Sequence, residues 1–326
     1  MGSPDSPVHQ VPAMWGRMVG RAIRLGIVGV GKIVRDQHLP AIAANPDFRL
    51  VAAASRNATI DGIANYSSIE ELLAQEPTLD AISLCMPPQA RYEPAMLALR
   101  AGKHVFLEKP PGATVSEVDE LKRLANAGGV SLFASWHSRY APAVEAARRF
   151  LSAATVRSAS VVWKEDVRRW HPNQAWIWEP GGFGVFDPFI NALSIVTHIL
   201  PPLHVTTSVL DFPANRDAPV AARISFRGEG NLTATADIDW LQTGPQTWDI
   251  TAETDKGNLV LSSGGARLAI DGKVMQEEPE REYPALYERF AEIIDAGVSD
   301  VDTTPLQHVA DAFMLGKRNV VAPFLD

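Results

Sequence analysis

The chain has one cysteine in 326 residues, Cys85. One cysteine closes no internal disulfide, so a reducing compartment and a cytoplasmic location are expected. Within the apolar run AISLCM it reads as a buried strand thiol. Long apolar runs are missing too: none approaches the ~20 residues of a membrane span. Positive charge is not in excess. The net charge is −8 with no long basic cluster, which argues against nucleic acid or an anionic membrane as partner. The eight histidines show no H-E-x-x-H or Cys/His ligand spacing, so no metal is expected. The opening MGSPDSPVHQVPAMWGRMVG carries prolines and polar residues where a signal peptide needs an apolar segment. Residues 1–21 read as a disordered extension, a vector remnant or a misassigned start. No internal repeat is visible.

What remains is an ordinary globular composition, with length for two domains and sizeable cores. From residue 22 short apolar strands alternate with helical stretches. IRLGIVGV, FRLVAAAS, DAISLCMP, KHVFLEKP and VSLFASW read as strands. Ser68 to Glu71 and Thr114 to Glu117 are capping-box spacings that open two of the helices. This alternation predicts a parallel sheet wrapped by helices over residues 22–138. After Ser138 the pattern changes. A helix near 141–151 precedes a long strand, TVRSASVVWKED, and a tryptophan-rich loop leads into another helix. Successive strands split by RGEGN, DKGN, SSGG and DGK follow to residue 276. Two helical stretches, YPALYERFAEIIDAG and PLQHVADAFMLGKRN, close the chain. Residues 139–326 are thus expected to form an α+β domain on a large, mostly antiparallel open sheet. Its last helix is a candidate to pack back on the first domain. An uncovered apolar sheet face would need a partner, so a homodimer or homotetramer through the open sheet is expected.

GIVGVGKIV places Gly29, Gly31 and Val34 in the three slots of G-x-G-x-x-G, after a strand and opening a helix. The first glycine permits the tight turn and the second lets the backbone approach a pyrophosphate. Valine in the third slot weakens the match. The context is still that of a Rossmann dinucleotide-binding domain. The second strand ends in Ser55, Arg56 and Asn57, with no acid before Asp61. An acid there would hold the ribose hydroxyls of NAD, whereas arginine suits a 2′-phosphate. NADP is therefore the expected cofactor, with NAD possible; a solvated surface arginine would read the same. Lys109, in HVFLEKPP, follows a parallel strand where such sheets bind ligands, and two prolines fix the backbone after it.

Then comes GGFGVFDPFINAL. Asp187 precedes a proline, and Asn191 lies four residues on, on the same helix face. Asp187 could simply cap the helix, or both side chains could reach one ligand. Together GVGKIVRDQHLPAI, EKPP and GGFGVFD resemble the glucose–fructose oxidoreductase, inositol dehydrogenase and MocA family over about residues 22–326. The stretch from WKEDVRRW to HILP is similar to its bacterial aldose 1-dehydrogenases, which act on D-galactose or L-arabinose. The resemblance implies oxidation of an aldose at C1 to the lactone with NAD(P). It also implies that Lys109 lies beside the nicotinamide and that the peptide before Pro110 is cis.

Removing a hydride from C1 requires that the proton of the anomeric hydroxyl go elsewhere. Lys109 and Asp187 are the two acceptor candidates, and the sequence leaves the choice open. We favour Asp187, with Lys109 polarising O1. Most of the wider family carries histidine where this chain has Asn191. Asparagine is no base near neutral pH, but its amide can hold the hydroxyl. Phe189 replaces an expected glycine, and either narrows the sugar pocket or packs outward. The expected cofactor contacts are Gly29, Gly31, Lys32, Ile33, Ser55, Arg56, Pro87, Pro88, Glu108 and Lys109. The expected sugar contacts are His137, Glu165, Trp170, Trp248, Asp187 and Asn191; Trp163, Trp176 and Trp178 share the cluster with Trp170. The competing readings are an enzyme of the same family acting on an inositol or a non-sugar carbonyl, and a sensor that binds nucleotide without turnover.

Overall fold

The computed structural model describes residues 21–325; the proposed N-terminal extension lies almost entirely outside them. The first sheet is all parallel. It contains β1 (Ile23–Val28), β2 (Phe48–Ala54), β3 (Ala64–Tyr66), β4 (Ala81–Leu84), β5 (His104–Glu108) and β6 (Leu132–Ser135). The strand order is β3-β2-β1-β4-β5-β6. Both faces are covered, which is why β4 and β5 are buried at every position and their sequences show no polar alternation. The connecting helices are α1 (Leu39–Ala44), α2 (Ile69–Gln75), α3 (Tyr92–Arg100) and α4 (Val115–Gly128). The Thr114–Glu117 box caps α4 reciprocally. At α2 Ser68 accepts from the Glu71 N–H, but the Glu71 carboxylate reaches Ser67 instead. Strand β3 is only three residues long and has no signal of its own in the sequence.

The chain continues through α5 (Val144–Ser152), β7 (Val156–Lys164), the single turn α6 (Val167–Trp170) and α7 (Phe186–Ile199). Then come β8 (Leu203–Pro213), β9 (Ala221–Gly228), β10 (Thr233–Asp239), β11 (Thr247–Thr254), β12 (Gly257–Ser262), β13 (Arg267–Ile270) and β14 (Lys273–Glu277). Helices α8 (Glu282–Ala296) and α9 (Thr304–Met314) precede a last strand, β15 (Gly316–Val321). The nine strands run in the order β14-β13-β12-β11-β7-β10-β9-β8-β15. Only the β7–β10 and β8–β15 pairs are parallel. The expected closing helix through Asn319 therefore stops at Met314. GKRNVV becomes an edge strand because β8 offers it a free ladder.

The helix that returns to the first sheet is α8, not the last one. Tyr283, Leu286, Tyr287, Phe290 and Ile293 of α8 are buried with Ile27, Phe48 and Phe106. Helix α9 instead buries Leu306, Val309 and Ala312 in the second core. The open face of the large sheet is not apolar. It presents Arg223 and Arg227 on β9, Thr233, Thr235 and Asp237 on β10, and Thr251 and Glu253 on β11. The hydrophobic argument for assembly through this face does not hold. Among the described residues no helix is long and apolar enough to cross a membrane.

Candidate active site

The glycine turn after β1 has the shape that a dinucleotide needs. Gly29 has φ +87°, and a Cβ there would stand 2.8 Å from the Met86 backbone nitrogen. Only glycine combines that conformation with that approach. A Cβ at Gly31 would meet nothing within 4 Å, so the turn faces open space. Lys32 and Ile33 are exposed beside it, Lys32 pairing with Asp36. Val34 starts one turn of π-helix and is fully buried in the core. The helix thus opens with a wider turn, and the third slot holds a packing residue. Arg56 is exposed at the carboxyl end of β2, next to half-buried Ser55. Pro87 is exposed, whereas Pro88 is buried under the short turn it starts. Cys85 lies just beyond β4 and is half-buried, not a strand thiol; its Sγ is 3.6 Å from His38 Nε2.

Lys109 follows β5, and the Lys109–Pro110 peptide is cis. Glu108 points away from the open cleft into a buried network. Its carboxylate accepts from the Lys109 N–H at 2.8 Å and from the Tyr283 hydroxyl at 2.7 Å, and meets His38 Nε2 at 3.0 Å. Burial opposes its charge, but hydrogen bonding and charge from His38, with the Tyr283 hydroxyl, hold its pKa down at about 2. The Glu108 side chain therefore supports Lys109 from beneath and is turned away from solvent.

The Lys109 ammonium crosses to α7. Nζ donates to the Asp187 carbonyl at 3.0 Å and to Oδ1 at 3.3 Å. The other carboxylate oxygen lies 3.5 Å from His171 Nε2. Asp187 is only 3 % exposed, and it does not cap α7: the cap position is Val185, with no side-chain bond. The GGFG segment delivers it there. A Cβ at Gly182 would lie 1.8 Å from the Trp176 carbonyl, so no larger residue fits. Asn191 is half-buried on the next turn. Phe189 neither narrows the pocket nor packs outward. It is fully buried in the second core, edge-on to Phe186 with ring centroids 6.1 Å apart.

The second sheet supplies the opposite wall. Neighbouring central strands β10, β7 and β11 bring Trp240, Glu165 and Trp248 together at one end of the strands. The indole N–H of Trp240 donates to Glu165 Oε1 at 3.1 Å, and that of Trp248 to Oε2 at 2.9 Å. Burial pushes the Glu165 pKa up to about 7, against these two bonds and the nearby Lys109 charge. Trp248 lies between Trp163 and Trp170, with centroids 5.7 and 5.5 Å away. Trp163 is buried, whereas Trp170 is 37 % exposed, with the Arg169 guanidinium 5.0 Å from its ring centroid. Trp178 is buried against Trp240, and Trp176 is half-buried.

His137 follows β6 and is held by α8: Nδ1 bonds Glu282, and the ring stacks on Tyr283 at 5.6 Å. Burial opposes its protonation and Glu282 outweighs that, raising the pKa. Trp240 and His171 had no marker in the sequence. Strand register brings the first to Glu165, and the loop after α6 brings the second to Asp187. Burial lowers the His171 pKa despite Asp187, leaving a neutral imidazole. Its other side lines a cavity of about 670 Å³ with Arg168, Trp178 and Phe324.

A family described as oxidoreductases with an NAD-binding Rossmann fold, GFO/IDH/MocA, matches residues 23–135. Galactose 1-dehydrogenase of Pseudomonas fluorescens is 47 % identical over 305 residues, covering 93 % of this chain and 99 % of that protein. The crystal structure of D-galactose 1-dehydrogenase from Rhizobium etli is 66 % identical. It superposes with a TM-score of 0.90 over 93 % of this chain and 98 % of that one. A 3-ketoreductase from Actinomadura kijaniata, solved with NADP and TDP-benzene, shares the fold at 19 % identity. Its TM-score is 0.78, over 92 % of this chain and all of that one. With an NAD(P)-binding Rossmann domain, a lysine at its strand ends paired with an aspartate of α7, and relatives matched along nearly their whole length, the chain is an oxidoreductase of the GFO/IDH/MocA family.

Proposed function

We propose that the protein oxidises C1 of an aldose of the D-galactose type to the aldonolactone, with NADP as preferred hydride acceptor. The observation that carries this reading is the contact of Lys109 Nζ with Asp187 at the carboxyl end of β5, facing a wall of tryptophan and glutamate. Carbohydrate rings present apolar faces to aromatic surfaces and hydroxyls to polar groups. Trp170 suits the first role; Glu165, Asn191 and His137 suit the second.

The dinucleotide, when bound, accepts the hydride from C1. The turn at Gly29 and Gly31, with Lys32 and Ile33, would hold its pyrophosphate, and Arg56 with Ser55 its ribose 2′-phosphate. The chain's own part is to hold the sugar and move one proton. Lys109 Nζ donates to two oxygens of Asp187. It can polarise O1 while the carboxylate of Asp187 takes the O1 proton. Neutral His171, 3.5 Å from the far oxygen of Asp187, can pass that proton toward the cavity it lines. The Asn191 amide, one turn on, holds the anomeric hydroxyl in line.

Arg56 at the end of β2, with no acid before Asp61, supports NADP over NAD. The single cysteine supports a cytoplasmic location. A homo-oligomer through the large sheet would pair polar faces, which sedimentation of the purified protein tests. The reaction is tested by following reduced cofactor with NADP or NAD against a panel of aldoses and inositols. Turnover of galactose-type aldoses is expected. Turnover of inositols alone, or cofactor binding with no turnover, overturns the reading.

A further inference from the structure

Arg91 is 2 % exposed. It leaves the short turn Pro88–Ala90 at the start of α3, and its guanidinium meets three backbone carbonyls. Nη1 donates to those of Glu108 and Pro110, and Nη2 to that of Met86. Glu108 and Pro110 flank Lys109. Between them, the Lys109 N–H is fixed by the Glu108 carboxylate. Met86 in turn is the residue against which Gly29 of the cofactor turn is pressed. One planar group therefore ties the chain on both sides of the lysine to the segment touching the dinucleotide turn. A buried charge is expensive, and an apolar residue of similar size would pack there without that cost. Burial pushes the guanidinium pKa down to about 10, with the Glu108 charge opposing, so it stays charged at neutral pH. What arginine adds over lysine is a rigid fork that reaches several acceptors at once.

We propose that Arg91 is a positioning residue: by holding the carbonyls of Met86, Glu108 and Pro110 together, it sets Lys109 relative to the glycine turn that cradles the cofactor. It touches neither sugar nor reacting atoms. The inference rests on the role given to Lys109 above. Misplacement of a reacting group by about 1 Å costs on the order of 100-fold in rate, and a single ammonium nitrogen does not reproduce the fork in which Nη1 and Nη2 meet separate carbonyls.

The test is Arg91→Lys in the full chain. The expected result is a fall in kcat of roughly 10- to 100-fold, with the Kd for NADP changed less than about threefold and the melting transition still cooperative. In a Lys109→Ala background the same substitution should leave the residual rate unaltered, because there is no ammonium left to place. A kcat for Arg91→Lys within twofold of the parent overturns the proposal. So does an equal further loss in the Lys109→Ala background, since that marks a general structural effect. Should Arg91→Lys not fold, Arg91→Gln takes its place; if neither folds, Arg91 is a structural residue and the proposal fails. Absence of aldose turnover by the parent protein would defeat the reading of the reaction, a result distinct from any of these.

Discussion

Glu165→Gln isolates the buried carboxyl at the tryptophan wall. Glu165 is 3 % exposed, and burial raises its pKa from 4.5 to about 7. The folded protein thus binds this proton more tightly than the unfolded chain does. Its contribution to stability is complete below pH 4.5 and is lost as the pH rises through about 7. The difference between those two values corresponds to roughly 3 kcal/mol over the whole window. Glutamine cannot titrate, so the variant lacks this slope. It has a fixed penalty of its own, because its NH2 must face one of the two indole donors, Trp240 or Trp248. Parent and variant should therefore differ most near pH 4.5, with the parent more stable. The gap should close by roughly 2–3 kcal/mol by pH 8, on the order of 5 °C in Tm for a chain of this size. Calorimetry of both proteins at half-unit pH steps measures it. A gap that is constant with pH, or that widens as pH rises, refutes the reasoning and makes Glu165 an ordinary carboxylate.

Asp187→Asn should lower kcat by about 100-fold or more while the cofactor Kd, measured by tryptophan quenching, moves little. A variant that only melts earlier would make Asp187 a structural group. Arg56→Ala should raise KM for NADP by roughly 10- to 100-fold, the value of a charge-assisted hydrogen bond, and leave NAD kinetics within about twofold; equal losses for both cofactors would remove Arg56 from the selection of the phosphate. Phe189→Ala should cost about 3–5 kcal/mol of stability by denaturant titration, as a large core deletion does, with the sugar KM unchanged. A shifted KM at parental stability would return Phe189 to the pocket wall.

The order of strands and helices in the first domain was legible because every cue there is local: apolar runs of strand length, capping residues, and glycines at helix ends and in the cofactor turn. The same locality made Gly29, Gly31, Lys109 and the Asp187–Asn191 spacing visible. Strands β3 and β15 were not, since Ala64–Tyr66 and Gly316–Val321 become strands by pairing with distant neighbours. The polar open face of the large sheet also escaped, because which alternate residues face the helices depends on the assembled layers.

The residues themselves determined the Rossmann turn, the change from a parallel to a mostly antiparallel sheet, and the lysine and aspartate proposed for the site. Tertiary structure alone decided their partners. Glu165 and Trp240 are 75 residues apart and meet because β7 and β10 run side by side. His171 reaches Asp187 through a loop with no periodicity, and Arg91 reaches Glu108 and Pro110 across the carboxyl ends of two strands. Hydrogen bonds and ion pairs of this kind are set by three-dimensional proximity, and spacing along the chain carries no trace of them.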